Sequence, residues 1–507
     1  MAKVITKVYH NWEEYQFWWS GGGAPLPAVA DLVAKKGNNL VKLTWTDPND
    51  VVVSGYTLAY WKSTKVVRKV WSAPVDSEDG TLIYTETTRN SHVTTPYVDN
   101  TAVNDTTYYY AVFAVANNGE ETISNVVSAT PKATQTFTIT YMENSSPTGF
   151  SPTYSDDASG LTAWSTAFDE FFNYSAVKLS TAWVETDEVT QTTPWQLNLS
   201  SLWTLTSGDN VMIKFPRMWI KMTKNGSTVT LSITDDPDAE SDGFQYYAHS
   251  RWTFDNMVAK DAFYLWAFKA YNNSWVLKSW SGKAPTWNQT QSTFITQARA
   301  NDNNNGSAWY DIIWYYQRQF INALYMMKYW NPDSQSVVGR WYVASGHSTT
   351  TNTWWSVAQT SATYGSSDEN TQVKLFWLED RWGNIHEWIW GMCTDGSKNL
   401  WTALSWFTGD ITTSSPYANT WSTIQTTSWN DLSSIVGNNK IMFWPSATVN
   451  NSSYNTYYCD YVYVYASRLA FAGGYWNSAS RAGAILLDVD RSASYADAGI
   501  GARLMFL

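Results

Sequence analysis

Few residues in this chain of 507 are placed as catalysis would need them. The five histidines, His10, His92, His249, His347 and His386, are scattered singly, so only folding could gather them, and neither a metal nor a cofactor is expected. Glu379-Asp380 and Asp235-Asp236 could supply the paired carboxylates of glycoside hydrolysis, but adjacent acids in a turn commonly point apart. There is no His-Glu-x-x-His helix, no Gly-x-Ser-x-Gly elbow and no phosphate-cradling glycine loop with lysine. Cys393 and Cys459 are the only cysteines; they form no disulfide framework and read as reduced packing residues. His386 sits in a Trp-rich strand and reads as a hydrogen-bonded core histidine. The expectation is a chain that is not an enzyme.

Binding chemistry is better represented. The 32 Trp and 32 Tyr exceed what cores alone require, and rigid rings with a polar edge bind partners at small entropic cost. Near the C-terminus Asp488 and Asp490, then Tyr495, Asp497 and Gly499, recur with period two, which puts each group on one face of an extended segment. A core face does not mix such side chains. The pattern leaves two readings, a recognition face or an ordinary solvated one.

These residues need a frame. At 44% apolar and 15% charged the chain can build sizeable cores, and its length predicts two or more domains. A formal charge of -11 with no basic stripe argues against nucleic acid as partner. Met1 to His10 lacks the apolar region of a secretory signal and no run of 18 apolar residues occurs, so neither conventional secretion nor membrane insertion is expected. Residues 1–23 form an N-terminal attachment segment: Trp12, Tyr15, Phe17, Trp18 and Trp19 precede a hinge, Ser20 to Gly23, as in a docking peg or a strand that pairs with the next domain. Residues 24–131 read as a β-sandwich of short alternating strands, with Trp45, Tyr108 and Tyr110 at core and corner positions.

Residues 132–201 are a connecting segment whose FDEFFNY stretch fits a short helix or a strand equally. In residues 202–507, NVMIKFPRMWIKM predicts a strand with an edge or bulge at Pro216. Ile312, Ile313, Tyr316, Phe320, Ala323, Leu324 and Met327 predict a packed helix between Trp309 and Trp330, stopped by Asn331-Pro332. The fold class is mainly β with an α+β C-terminal domain.

Pro27, Trp45, Tyr56, the Tyr108–Val112 strand and the closing Ser128-Ala129-Thr130-Pro131 give residues 24–131 a resemblance to a fibronectin type III domain, which implies a spacer. Further on, Gly383-Asn384-Ile385-His386-Glu387-Trp388-Ile389-Trp390-Gly391 and Gly499-Ile500-Gly501-Ala502-Arg503-Leu504 resemble core and final strands of the formylglycine-generating-enzyme-like branch of C-type-lectin-like folds. The enzymes of that branch use a cooperating cysteine pair, and Cys393 and Cys459 do not match its pattern. Within the fold, residues 457–504 are similar to the variable region of phage and bacterial proteins diversified by retroelements.

That resemblance implies a ligand-binding set of Val462, Val464, Tyr465, Tyr475, Ser478, Arg481, Ile485, Leu486, Asp488, Asp490, Arg491, Tyr495, Asp497 and Gly499 among small supporting residues such as Ala482, Gly483 and Ala502. It implies a phage receptor-binding protein on the virion, as a tail or head fibre. Its partners would be a bacterial cell-surface receptor, protein or glycan, and other virion proteins through the N-terminal segment. A homo-oligomer is expected, a trimer by analogy with similar fibres, although no heptads or collagen-like repeats show it. The alternatives are a bacterial surface-display protein diversified by a retroelement and a polysaccharide-degrading tail enzyme.

Overall fold

The computed structural model describes the chain apart from residues 1–4, 11–12, 19–24, 54–55, 144–150, 181–184, 189–190, 194–195, 198–208, 254–255, 303–309, 341, 345, 354–360, 367–371, 407–410, 425–429, 450–457 and 459. The chain is mainly β, as the alternating patterns predict. It divides into two compact units, residues 1–134 and 135–507.

In the first unit Ile5–His10 pairs antiparallel with Glu13–Trp18, so this segment makes a hairpin with itself. Trp12, Trp19 and the predicted hinge at 20–23 lie outside the described residues, as do the side chains of Tyr15, Phe17 and Trp18. Two sheets follow. One holds Val33–Gly37, Leu40–Thr44 and Tyr97–Asp99; the other is built on Tyr108–Ala116, flanked by Trp61–Val70 and by Glu121–Ile123 and Val127–Ala129. Period-two alternation turns Val41, Leu43, Val66, Tyr110 and Val112 into one core with Trp45, which is the predicted sandwich. Its buried hydroxyl is satisfied across the sheets: Tyr110 donates to Asp99 Oδ2 at 2.9 Å.

The second unit begins earlier than the predicted connecting segment allows. Thr136–Met142 pairs along its whole length with Thr228–Thr234, and Ser175–Leu179 pairs with Asn210–Pro216. Both bury apolar side chains in the large core, so these strands of 132–201 are structural parts of that unit. FDEFFNY resolves to a helix, Ala167–Phe172, closed by Asn173 in the left-handed conformation, and it buries Phe168, Phe171 and Phe172. Asn210–Pro216 is an interior strand between Ser175–Leu179 and Ala262–Trp266, not an edge; Pro216 is tolerated because it ends the strand.

The predicted helix is shorter than its periodicity suggests. Tyr310–Ile312 is a strand, and the helix runs Tyr315–Tyr329 with Trp330 at its left-handed end. All its residues are buried, so it runs through the core instead of lying on it with one stripe. It packs against the strand His386–Thr394 of a nine-stranded sheet whose central order is Asn399–Thr402, His386–Thr394, Leu469–Ala472, Leu487–Arg491, Tyr461–Val464, Asn430–Ile435. The final segment ties this sheet to the six-stranded one. Ile500–Gly501 pairs parallel to His386–Thr394, and Leu504–Phe506 inserts between Ala262–Trp266 and Tyr310–Ile312. Gly391 is required where the strand His386–Thr394 crosses the helix start: its φ is 82°, and a Cβ there would stand 2.1 Å from the Trp314 ring.

Candidate binding face

A buried ionic centre positions the C-terminal strands. Glu387 Oε1 accepts from Lys269 Nζ at 2.9 Å and from Arg503 Nε at 2.7 Å. Arg318 and Arg381 bring guanidinium nitrogens to 3.5 and 3.9 Å of Oε2. Burial alone would raise the Glu387 pKa, but Lys269, then Arg503, Arg381 and Arg318, outweigh it and hold the carboxyl far below its ordinary range. The cations also spend their remaining donors on backbone. Arg503 Nη1 donates to the Trp266 and Ala267 carbonyls, Lys269 to that of Ile385, and Arg318 Nη2 to those of Ala484 and Leu486. The two sequence motifs thus meet in one ion pair, and the helix residue Arg318 pins the chain just before Leu487–Arg491.

On this support the strands Tyr461–Val464, Leu469–Ala472 and Leu487–Arg491 lie side by side, with Tyr463, Asp488 and Phe471 in register across them. Alternation sends Val462, Val464, Leu487 and Val489 into the core and leaves Tyr461, Tyr463, Asp488 and Asp490 on the other face. Two series of contacts run along that face, on neighbouring strands in register. Lys398 Nζ lies 6.0 Å over the Tyr465 ring, and Tyr463 donates its hydroxyl to that of Tyr465 at 2.8 Å. Arg491 pairs with Asp490 Oδ2 at 3.0 Å and sets its guanidinium 4.5 Å over the Tyr495 ring. Tyr495 donates to Asp497 Oδ2 at 3.1 Å, and Asp497 Oδ1 accepts from the Gly499 amide. A Cβ at Gly499 would press on the Tyr475 ring at 3.0 Å, and Tyr475 stacks on His386 at 5.1 Å.

His386 is a core histidine: Nδ1 accepts from the Gly474 amide at 3.1 Å, and burial lowers its pKa to about 3, which keeps it neutral.

Of the fourteen residues in the predicted ligand-binding set, Tyr465 is exposed and Tyr475, Arg481, Arg491, Tyr495 and Asp497 are half-buried, the reach a partner needs. The other eight correct the expectation of a displayed set. Val462 and Val464 are apolar residues whose strand positions point into the core, Ile485 and Leu486 are buried in the segment that leads into Leu487–Arg491, and Ser478 and Gly499 are buried in turns. Asp488 and Asp490 share a face as their period predicts, but that face is covered and both are buried. Gly483 and Ala482 are support, as expected: a Cβ on Gly483 would overlap Asp460 Oδ1 at 1.6 Å. Tyr463, Arg468 and Lys398 belong to the face yet were not in the set. Tyr463 carried a signal, since it alternates with Val462 and Val464, whereas Lys398 joins only through folding.

Among the described residues no three His, Cys, Asp or Glu side chains converge as metal ligands, and no helix is long and apolar enough to cross a membrane. The paired acids have structural surroundings. Glu379 and Asp380 are buried, with Asp380 accepting from Asn384 Nδ2 at 2.6 Å, while Asp236 accepts from the Asp238 amide in a turn. Cys393 is buried, and burial pushes its thiol up to about 12; Cys459 lies outside the described residues. The chain matches no protein-family model and no curated protein.

Proposed function

We propose that this chain is a non-enzymatic receptor-binding protein of a phage virion, which attaches to a bacterial cell-surface ligand through the face that runs from Tyr465 to Tyr475. The observation that carries the reading is the face's composition on a fixed frame. Tyr463 with Tyr465, and Arg491 with Tyr495, Asp497 and Tyr475, form two contact series on strands, and on the loops beside them, held by the Glu387 centre. Tyr and Arg are the side chains that supply most hot-spot energy in interfaces, and they do so best when pre-organised. The sequence resemblance to retroelement-diversified C-type-lectin-like proteins supplies the phage context, and the sandwich of the first unit is then a fibronectin-type spacer. Repetition on a virion would turn modest single-site affinity into avidity.

The test replaces Tyr465, Arg481, Tyr495 and Asp497 together by Ser in the full chain. Adsorption of the labelled protein to a panel of bacterial strains should fall by about thirtyfold or more, or move to different strains. The second unit should still unfold cooperatively, at a melting temperature lowered by several degrees, because Tyr465 is exposed and the half-buried Arg481, Tyr495 and Asp497 each give up partial packing or a hydrogen bond of ~0.5–1.5 kcal/mol. A folded variant that adsorbs unchanged to every strain overturns the assignment.

A further inference from the structure

Beneath the face, Asp488 and Asp490 stand two residues apart on one strand, on the same side, with only 4% and 9% of their surface exposed. Each has an Oδ1 atom with no hydrogen-bond partner. Among the described residues the one direct cation is Arg491, on Asp490 Oδ2, and its own side chain is a third exposed. Arg468 donates Nε to the Asp490 carbonyl, not to the carboxylate. The other elements packed here add little positive charge. The neighbouring strand supplies Tyr461 and Tyr463, the strand Leu469–Ala472 supplies Phe471, the outer strand supplies Asp431, itself buried, and the loop beyond supplies Tyr495. Arg481 acts on Asp431 and Tyr461.

Two carboxylates this close in a covered site cannot both hold a full charge, because desolvation and mutual repulsion act together. We propose that Asp488 and Asp490 share a single proton, and that this proton is a pH-sensitive latch that keeps Leu487–Arg491, with Arg491 and Tyr495 above it, in place. With the proton present, one acid donates to the other and the strand end is neutralised by Arg491. When the proton leaves as pH rises, both anions demand water and the strand end with Arg491 loosens. Burial raises both pKa values, that of Asp488 the more, and the Asp490 charge adds to the rise at Asp488. Because the folded pKa lies above the unfolded 3.8, the latch's stabilisation is whole below that pH and is lost as pH climbs through the folded value.

The test reads the protein alone, so its outcome is independent of the binding assignment. Thermal unfolding of the full chain is followed from pH 4 to 9 beside Asp488→Asn and Asp490→Asn, which keep shape and remove one charge. The parent should lose roughly 2–4 °C relative to Asp488→Asn across that range, and hydrogen-exchange protection of Leu487–Arg491 should fall with pH in the parent and stay level in the variant. If Asp488→Asn fails to fold, Asp490→Asn serves the same comparison. Parallel pH profiles for the parent and a folded variant, with equal protection of this strand, overturn the shared proton.

Discussion

Glu387 places one negative charge among Lys269, Arg318, Arg381 and Arg503, all without solvent. Such a centre specifies an arrangement more than it adds stability, but removing Glu387 takes away the one acid that pairs directly with these four cations and leaves them only the weaker influence of Asp380 and Asp460. Glu387→Gln should therefore cost ~3–5 kcal/mol in denaturant unfolding of the second unit, or prevent its folding. The sign with pH is opposite to that of the aspartate pair. A carboxyl held low contributes fully above its unfolded 4.5 and loses that contribution only as pH falls into acid. A loss under ~1 kcal/mol would mean that the cations are held by their carbonyl partners and not by Glu387. The sequence shows both halves of this centre, in the Glu387 and Arg503 motifs, yet not their meeting, because pairing across that separation is decided by sheet topology. Local pattern did place Asp488 beside Asp490, since period two is intrinsic to a strand. It could not show that both are buried, which depends on folding that brings Tyr461, Tyr463 and Tyr495 beside them.

Among elements, three exposed tryptophans are the least expected feature, two in loops or turns and Trp421 within the strand Ala418–Thr423. Trp71, Trp275 and Trp421 have φ of 73°, 73° and 57°, a left-handed conformation suited to glycine, and they expose 84%, 59% and 82% of their surface. Trp275 follows Ser274, also left-handed, in the two-residue turn of the hairpin Tyr271–Asn273 with Val276–Lys278, where the second position favours Gly. A bulky residue in this region costs ~1–2 kcal/mol, and an exposed ring returns little of it through packing. Replacing each of the three by Gly should leave stability unchanged or raise the melting temperature by about 1 °C, even after the added freedom of the unfolded chain. A drop of several degrees in calorimetry would show that the rings are engaged in contacts that outweigh the backbone strain. Trp377 shares the conformation inside the core, and Trp330 shares it partly buried at the core's margin. Sequence periodicity is blind to this, because it reads a Trp as core or surface and never as a turn residue. The same blindness extended the predicted helix backward over Tyr310–Ile312, where a buried strand and a buried helix show the same apolar run.

At the scale of the whole molecule, the two units have separate cores. Val41, Leu43, Trp45, Tyr110 and Val112 close the first, and the second gathers residues from Phe137 to Leu507. The boundary at 134/135 falls just before Thr136 begins its ladder with Thr234, and Gln135 donates its amide to Asp235, so a fragment of residues 132–507 retains every partner of its first strand. The distinctive aromatics of the first unit are consumed by its own sandwich: Trp45 donates to Asp47 Oδ1 and Tyr110 to Asp99 Oδ2, both inside that core. Units with independent cores unfold as separate cooperative transitions. The fragment should therefore fold, melt at the temperature of one transition of the full chain, and adsorb to the same bacterial strains. Adsorption per molecule should be equal when both forms are measured at the same oligomeric state, because avidity would otherwise exaggerate any difference. A fragment that melts normally but no longer adsorbs would move recognition into residues 1–131. A fragment that fails to fold would instead show that the second unit needs the first for its stability, despite the absence of shared residues between the two described cores.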